Sequence, residues 1–180
     1  MDSLDAIKLS LHGNVNLTDE IKNRILNLII NFTQKINGVD LTKLNDNLKT
    51  VKIQKIGKYE KKGTYYYDAV KNEIQLSNDI DGNYDVDHIF TKAILEMATN
   101  TGKFTGFNSD ERLMALNLAY TEILANYIIG NEGDSDLEEE MLLANLLSHI
   151  VGKDTMFNSY FTNSGDAIIK AMQDAEVGAV

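Results

Sequence analysis

The 180-residue sequence has no cysteine, no proline and no tryptophan. Without cysteine it forms no disulfide, no thiolate zinc site and no cysteine nucleophile. Without proline, its turns fall to the 12 glycines and to asparagine and aspartate, whose side chains bond into turn geometry. Long apolar runs are missing as well, and no stretch approaches the roughly 20 residues that span a bilayer. The opening MDSLDAIKLSL carries acids where a secretory signal has basic residues and then a long apolar run. The expectation is a cytoplasmic protein with no membrane partner. Positive charge is also scarce: 17 Lys and Arg against 27 Asp and Glu leave a formal net charge of −10. Direct binding to nucleic acid or anionic lipid needs clustered cations, so neither is expected. The acidity suits solubility or contact with a basic protein surface.

What is present is ordinary for a globular chain, 43% hydrophobic and 24% charged. The length is enough to bury a core without metals or disulfides, and one domain over residues 1–180 is expected. Residues 1–17 show no periodicity that places them. Thr18 is a good N-cap, followed by Asp19 and Glu20, which suit a helix N-terminus. The helix runs to about Lys35, with Ile21, Ile25, Leu28, Ile29 and Phe32 as its apolar stripe. The middle then turns to a period of two. LKTVKIQKI, GTYYYDAV and NEIQLS read as about three strands in antiparallel pairs joined by hairpins. From about Val86 the pattern is helical, over roughly 86–99, 109–129 and 136–151, with shorter helices near 153–160 and 164–174. An N-terminal helix, a small sheet and a helical C-terminal half make an α+β class.

Charge is unevenly spread. Lys58, Lys61 and Lys62 belong to a lysine- and tyrosine-rich hairpin, while Asp134, Asp136, Glu138, Glu139 and Glu140 crowd the stretch DSDLEEE. Such runs are solvated faces by default, and both are candidate contact surfaces.

The succession of strand NEIQLS, helix IFTKAILEMATN, a glycine-containing loop and helix MALNLAYTEILANYI resembles the gluzincin type of zincin metallopeptidases. The resemblance covers roughly residues 48–165. The later LLSHIVGKDTMFNSYF is similar to the C-terminal helices of small bacterial proteins with that scaffold. In that family the strand lies along the substrate cleft, and the first helix carries His-Glu-x-x-His, often followed by Met-Ala-Ser or Met-Ala-Thr. The second helix carries Asn-Glu-Gly-x-Thr-Glu or a variant of it. Two His one turn apart bind the zinc, the Glu after the first polarises water, and the second helix adds a ligand. An acid one turn further on orients the first His.

Carried over, the resemblance puts Lys92 at the first ligand, Ala93 at the base, Glu96 at the second ligand and Leu118 at the third. Glu122 stands at the orienting acid, beside Asn117 and Thr121. An ammonium repels a divalent cation, alanine takes no proton and leucine does not ligate. The resemblance therefore implies a scaffold with no zinc, no other cofactor and no peptidase activity. A Lys92–Glu96–Glu122 cluster is expected where the metal would have been.

The function this implies is binding or regulation through contact with a protein partner, with an extended peptide adding to the sheet edge beside the Lys92 helix. An alternative, resting on size and charge, is a small acidic inhibitor of a nucleic-acid enzyme, of the phage or mobile-element (anti-CRISPR-like) kind. A third is a divergent metal-dependent hydrolase. Nothing in the sequence selects an oligomeric state.

Other constellations are weaker. His12, His88 and His149 are far apart. Asp79, Asp81, Asp85 and Asp87 surround His88 in NDIDGNYDVDH, an oxygen-rich stretch that lacks the twelfth-position Glu of an EF-hand. It reads better as a turn and N-cap. His149 is expected to be buried or half-buried, and Tyr120 and Tyr160 to sit at the core edge. No phosphate loop or nucleophile elbow is present.

Overall fold

The structure, a computed structural model, describes residues 3–56, 65–77, 86–107, 113–130 and 137–177. The chain begins with α1 (Ser3–Gly13), α2 (Asp19–Lys35) and α3 (Thr42–Leu48). The strands β1 (Lys52–Ile56), β2 (Tyr65–Asp68) and β3 (Glu73–Ser77) follow. The C-terminal half holds α4 (Val86–Thr99), α5 (Met114–Ile129), α6 (Glu138–Val151), α7 (Lys153–Thr162) and α8 (Gly165–Val177). This is the α+β order expected. No described helix is long and apolar enough to cross a membrane.

Two helices were not expected. In α1, Ile7 and Leu11 are buried and Leu4 packs beside them, a three- and four-residue spacing split by charged neighbours. Helix α3 has only seven residues, with Leu44 and Leu48 buried, too short for a periodic signal. By contrast α2 starts where its sequence says: the Thr18 hydroxyl accepts the Ile21 amide at 3.4 Å, with Asp19 and Glu20 in the first turn.

The sheet corrects the all-hairpin expectation. Its order is β1-β3-β2. Strands β2 and β3 form the expected antiparallel pair, but β1 lies parallel to β3 on its other side. A parallel neighbour needs a crossover connection, and β2 is part of that crossover. The arrangement puts fully buried Ile74 at the centre, opposite Ile53 on one side and Tyr67 on the other. Lys52 and Glu73 close the β1–β3 pair with a 2.9 Å ion pair.

Helix α4 runs through the middle of the molecule, packed against α2, α3, α5, α7 and β2. Every residue from His88 to Asn100 except Lys92 is buried. A helix buried on all sides is apolar nearly all round, and its last carbonyls need partners other than water. Asparagines supply them. Asn47 Nδ2 donates to the Met97 carbonyl at 3.0 Å. Asn163, in the left-handed region at φ 56° where α7 ends, donates to the Thr99 carbonyl at 2.8 Å.

Asn100 ties the same helix end to the sheet. Its Nδ2 donates to the Tyr67 hydroxyl at 2.8 Å and the Ala69 carbonyl at 3.0 Å, while its Oδ1 accepts the Gly102 amide at 2.7 Å. Tyr67 in turn donates to Asn72 Oδ1 at 2.6 Å. Asn72 holds the β2–β3 turn at φ 51°, a conformation asparagine tolerates better than most residues, and its Nδ2 reaches the Asn47 carbonyl at 2.7 Å.

Asn100→Ala is expected to lower unfolding stability by about 1–3 kcal/mol, the cost of leaving buried polar groups unsatisfied. Exposed Asn16→Ala should stay within about 0.5 kcal/mol. Urea denaturation of both variants checks this, and equal midpoints would refute the network's role.

Candidate functional site

The row His88, Lys92 and Glu96 repeats every four residues, so one face of α4 presents all three. Across from it, α5 presents Glu122. His88 Nε2 meets Glu122 Oε1 at 2.5 Å, and Lys92 Nζ meets Glu122 Oε2 at 2.9 Å. The Glu122 side chain is 1% exposed and that of Lys92 22%, so the carboxylate is internal while the ammonium keeps an edge toward solvent. Burial alone would raise the Glu122 pKa. The His88 hydrogen bond and the Lys92 charge and hydrogen bond outweigh it and hold the carboxyl below its usual range.

The expected Lys92–Glu96–Glu122 cluster is therefore corrected to His88–Lys92–Glu122. Glu96 lies one turn beyond Lys92, and the two form no ion pair. Its carboxyl is internal, Oε2 has no hydrogen-bond partner, and burial pushes its pKa up to about 8. At neutral pH Glu96 is mostly a neutral acid. Lysine reaches the ionised glutamate and leaves the protonated one.

Beyond Glu96 is an aromatic cluster. Phe107 sits 5.3 Å from both Tyr120 and Tyr160, ring centre to ring centre, and the two tyrosines are 5.5 Å apart. The Tyr160 hydroxyl shares a 2.7 Å hydrogen bond with Thr121 Oγ1. Tyr160 is fully buried and Tyr120 nearly so, so both are core residues and not the core-edge residues expected. Burial raises both phenols, that of Tyr120 to about 12, and the neighbouring Glu96 would raise Tyr160 further if charged. The loop before α5 is fastened here too. Thr99 Oγ1 accepts the Gly106 amide at 2.8 Å and Asn117 Oδ1 accepts the Phe107 amide at 3.1 Å. Gly106, at φ 63°, lies so close to Asn117 that a Cβ would come within 1.7 Å of its Oδ1. Only glycine fits.

The other expected positions are dispersed. Ala93 is buried in α4, and Leu118, one turn before Glu122, is 46% exposed. Glu138 and Glu139 are exposed at the start of α6, with Glu140 partly covered. Asp134, Asp136, Lys58, Lys61 and Lys62 lie outside the described residues, as do Asp79, Asp81 and Asp85. Asp87 bonds Arg24 Nε at 2.5 Å. His149 is exposed, not buried, because it lies on the outer side of α6 with Leu146 and Ile150. His12 lines a cavity of about 530 Å³ between α1 and α2 with Lys8, Lys22 and Asp19. Among the described residues no group of three or more His, Asp or Glu is arranged to hold a metal ion.

The residue that sequence reasoning misplaced is His88. Its four-residue step before Lys92 was visible, but its neighbouring aspartates drew it into a different grouping. No family model, curated protein or solved structure matches the chain.

The two carboxyls respond to pH in opposite senses. The folded Glu122 pKa is lowered, so its contribution is present above the usual carboxylate range and is lost as pH falls. The folded Glu96 pKa is raised, so the native state binds a proton the unfolded chain releases, and stability falls as pH rises from about 4.5 to 8. By pH 7 that loss is on the order of 3 kcal/mol. Glu96→Gln should remove the decline while leaving the acid limb unchanged, read from unfolding midpoints between about pH 2 and 9. A variant that tracks the parent across that range would refute the assignment. Lys92→Ala should cost about 3 kcal/mol, the low end for removing one partner of a buried pair, since part of the ammonium meets solvent. Thermal melts check it, and an unchanged midpoint would count against the pair.

Proposed function

We propose that the chain is a zincin-like protein without peptidase activity, working as a binding or regulatory module through protein–protein contact. The observation that carries this reading is the Lys92–Glu122 contact at 2.9 Å. The family resemblance sets a first-ligand position and an orienting acid against each other across two helices, and here an ammonium and a carboxylate meet at those positions. Lysine replaces both the ligand and the positive charge of the ion. Glu96, at the second-ligand position, is kept protonated by burial, and a neutral acid is a poor ligand. Leu118, at the third, offers no lone pair. Ala93 leaves the position of the base empty of any proton acceptor.

What such a module would bind is an extended peptide. Strand β3 has neighbours on both sides and accepts no further strand, which moves the docking edge from NEIQLS itself to β2. Strand β2 packs near α4 and among the described residues pairs only with β3. Backbone hydrogen bonds along β2 would give affinity, and alternate side chains would give selectivity. A second reading, the small acidic inhibitor, is favoured by the exposed Glu138 and Glu139 at the start of α6. It requires salt-sensitive binding to a strongly basic protein and none to peptides.

Restoring the missing side chains tests the first reading. The parent, equilibrated with excess zinc and dialysed, should retain close to none by elemental analysis. The combined variant Lys92→His, Ala93→Glu, Glu96→His and Leu118→Glu should retain about one zinc per chain, the stoichiometry of a three-ligand site closed by water. A folded variant that retains no zinc would overturn the zincin-like reading. Zinc at one per chain in the parent would reopen the hydrolase reading.

A further inference from the structure

Among the described residues, the outer face of α6 is apolar and exposed. Leu142, Leu143, Leu146 and Ile150 are 62%, 64%, 54% and 61% exposed. At 100° per residue they fall, with Glu138, Glu139 and His149, inside a sector of roughly 140°, and all of those three are exposed as well. The opposite side of the helix carries buried Ala144 and Ser148. Leu147 and Val151 pack half-buried against the core on that inner side, so α6 is apolar on both sides, more than a surface helix that serves only its own fold needs. A patch on the order of several hundred Å² is at the upper end of what a monomer leaves bare.

We propose that this face is a two-fold interface with a second copy of this chain, in which α6 packs antiparallel against α6 of the partner. The charge order along the helix argues for it. The face begins with Glu138 and Glu139, continues with leucines, and ends with His149 and Ile150, just before exposed Lys153. A helix with an acidic start, an apolar middle and a basic end complements itself only when reversed. With the two-fold axis crossing the outer face midway between Leu142 and Leu146, Leu142 faces the partner subunit's Leu146, and Glu139 faces the partner subunit's His149. A parallel pairing would set the acids of one copy against the same acids of the other, in chains that each carry −10. An isologous contact of this kind uses the same patch twice.

Sedimentation of the full chain across a concentration series tests the proposal. The parent should move from a mass of 20.1 kDa to twice that as concentration rises. Leu146→Glu should stay monomeric with unchanged circular dichroism, because that side chain does not enter the monomer core. His149→Glu should weaken the dimer by setting acid against Glu139, and Glu139→Lys added to it should restore association. A parent that stays monomeric overturns the proposal and leaves the face for a different partner. A dimer that survives Leu146→Glu, or a charge swap that restores nothing, overturns it as well.

Discussion

The interaction on which the rest depends is the closing of α4. A helix in the middle of a protein has no water for its last carbonyls, and each one left bare costs about 1–3 kcal/mol. Asn47 from α3 and Asn163 from the end of α7 bond two of them, and Asn100 carries the chain onward into the sheet. Remove these side chains and α4 would have to turn an end to solvent, which would expose Ile94, Leu95 and Met97, all fully buried. Hydrophobic burial and polar satisfaction are one constraint here.

Asparagine also does what proline does in other chains, by a different means. Proline stiffens a turn by fixing φ. Asn72 and Asn163 instead occupy the left-handed region and use their amides to bind distant backbone. The turns they make are therefore tied to the core, and the β2–β3 hairpin is anchored to α3 and α4 through Asn72, Tyr67 and Asn100. Stability of the sheet and position of α4 are coupled through that network.

Two glutamates at facing helices show how environment divides identical groups. Glu122 receives two cationic or donating partners and stays ionised; Glu96 receives none at Oε2 and is held protonated by burial. Because burial penalises charge wherever no partner offsets it, a position that looks like a ligand in sequence becomes an acid with its proton on. The chemistry available to α4 and α5 follows from that division.

The α+β order, the start of α2 at Thr18 and the extent of α4 were legible in the residues, because each rests on local spacing, which periodicity encodes directly. The meeting of Lys92 and Glu122 was expected only from the family resemblance, since no local pattern relates two residues on different helices. The parallel placement of β1, the separation of Glu96 from Lys92, the part played by His88 and the outward turn of Leu142, Leu143 and Leu146 were not legible. Sequence states what a residue is, but which neighbour it meets depends on how whole elements pack. Alternation in β1 is the same whether its partner is β2 or β3. Glutamate four residues from lysine is equally a surface pair or, as here, two groups with different surroundings, Lys92 against Glu122 and Glu96 in the interior. A leucine-rich helix signals burial, yet whether its apolar side is covered depends on which of its faces α5, α7 and α8 had already taken.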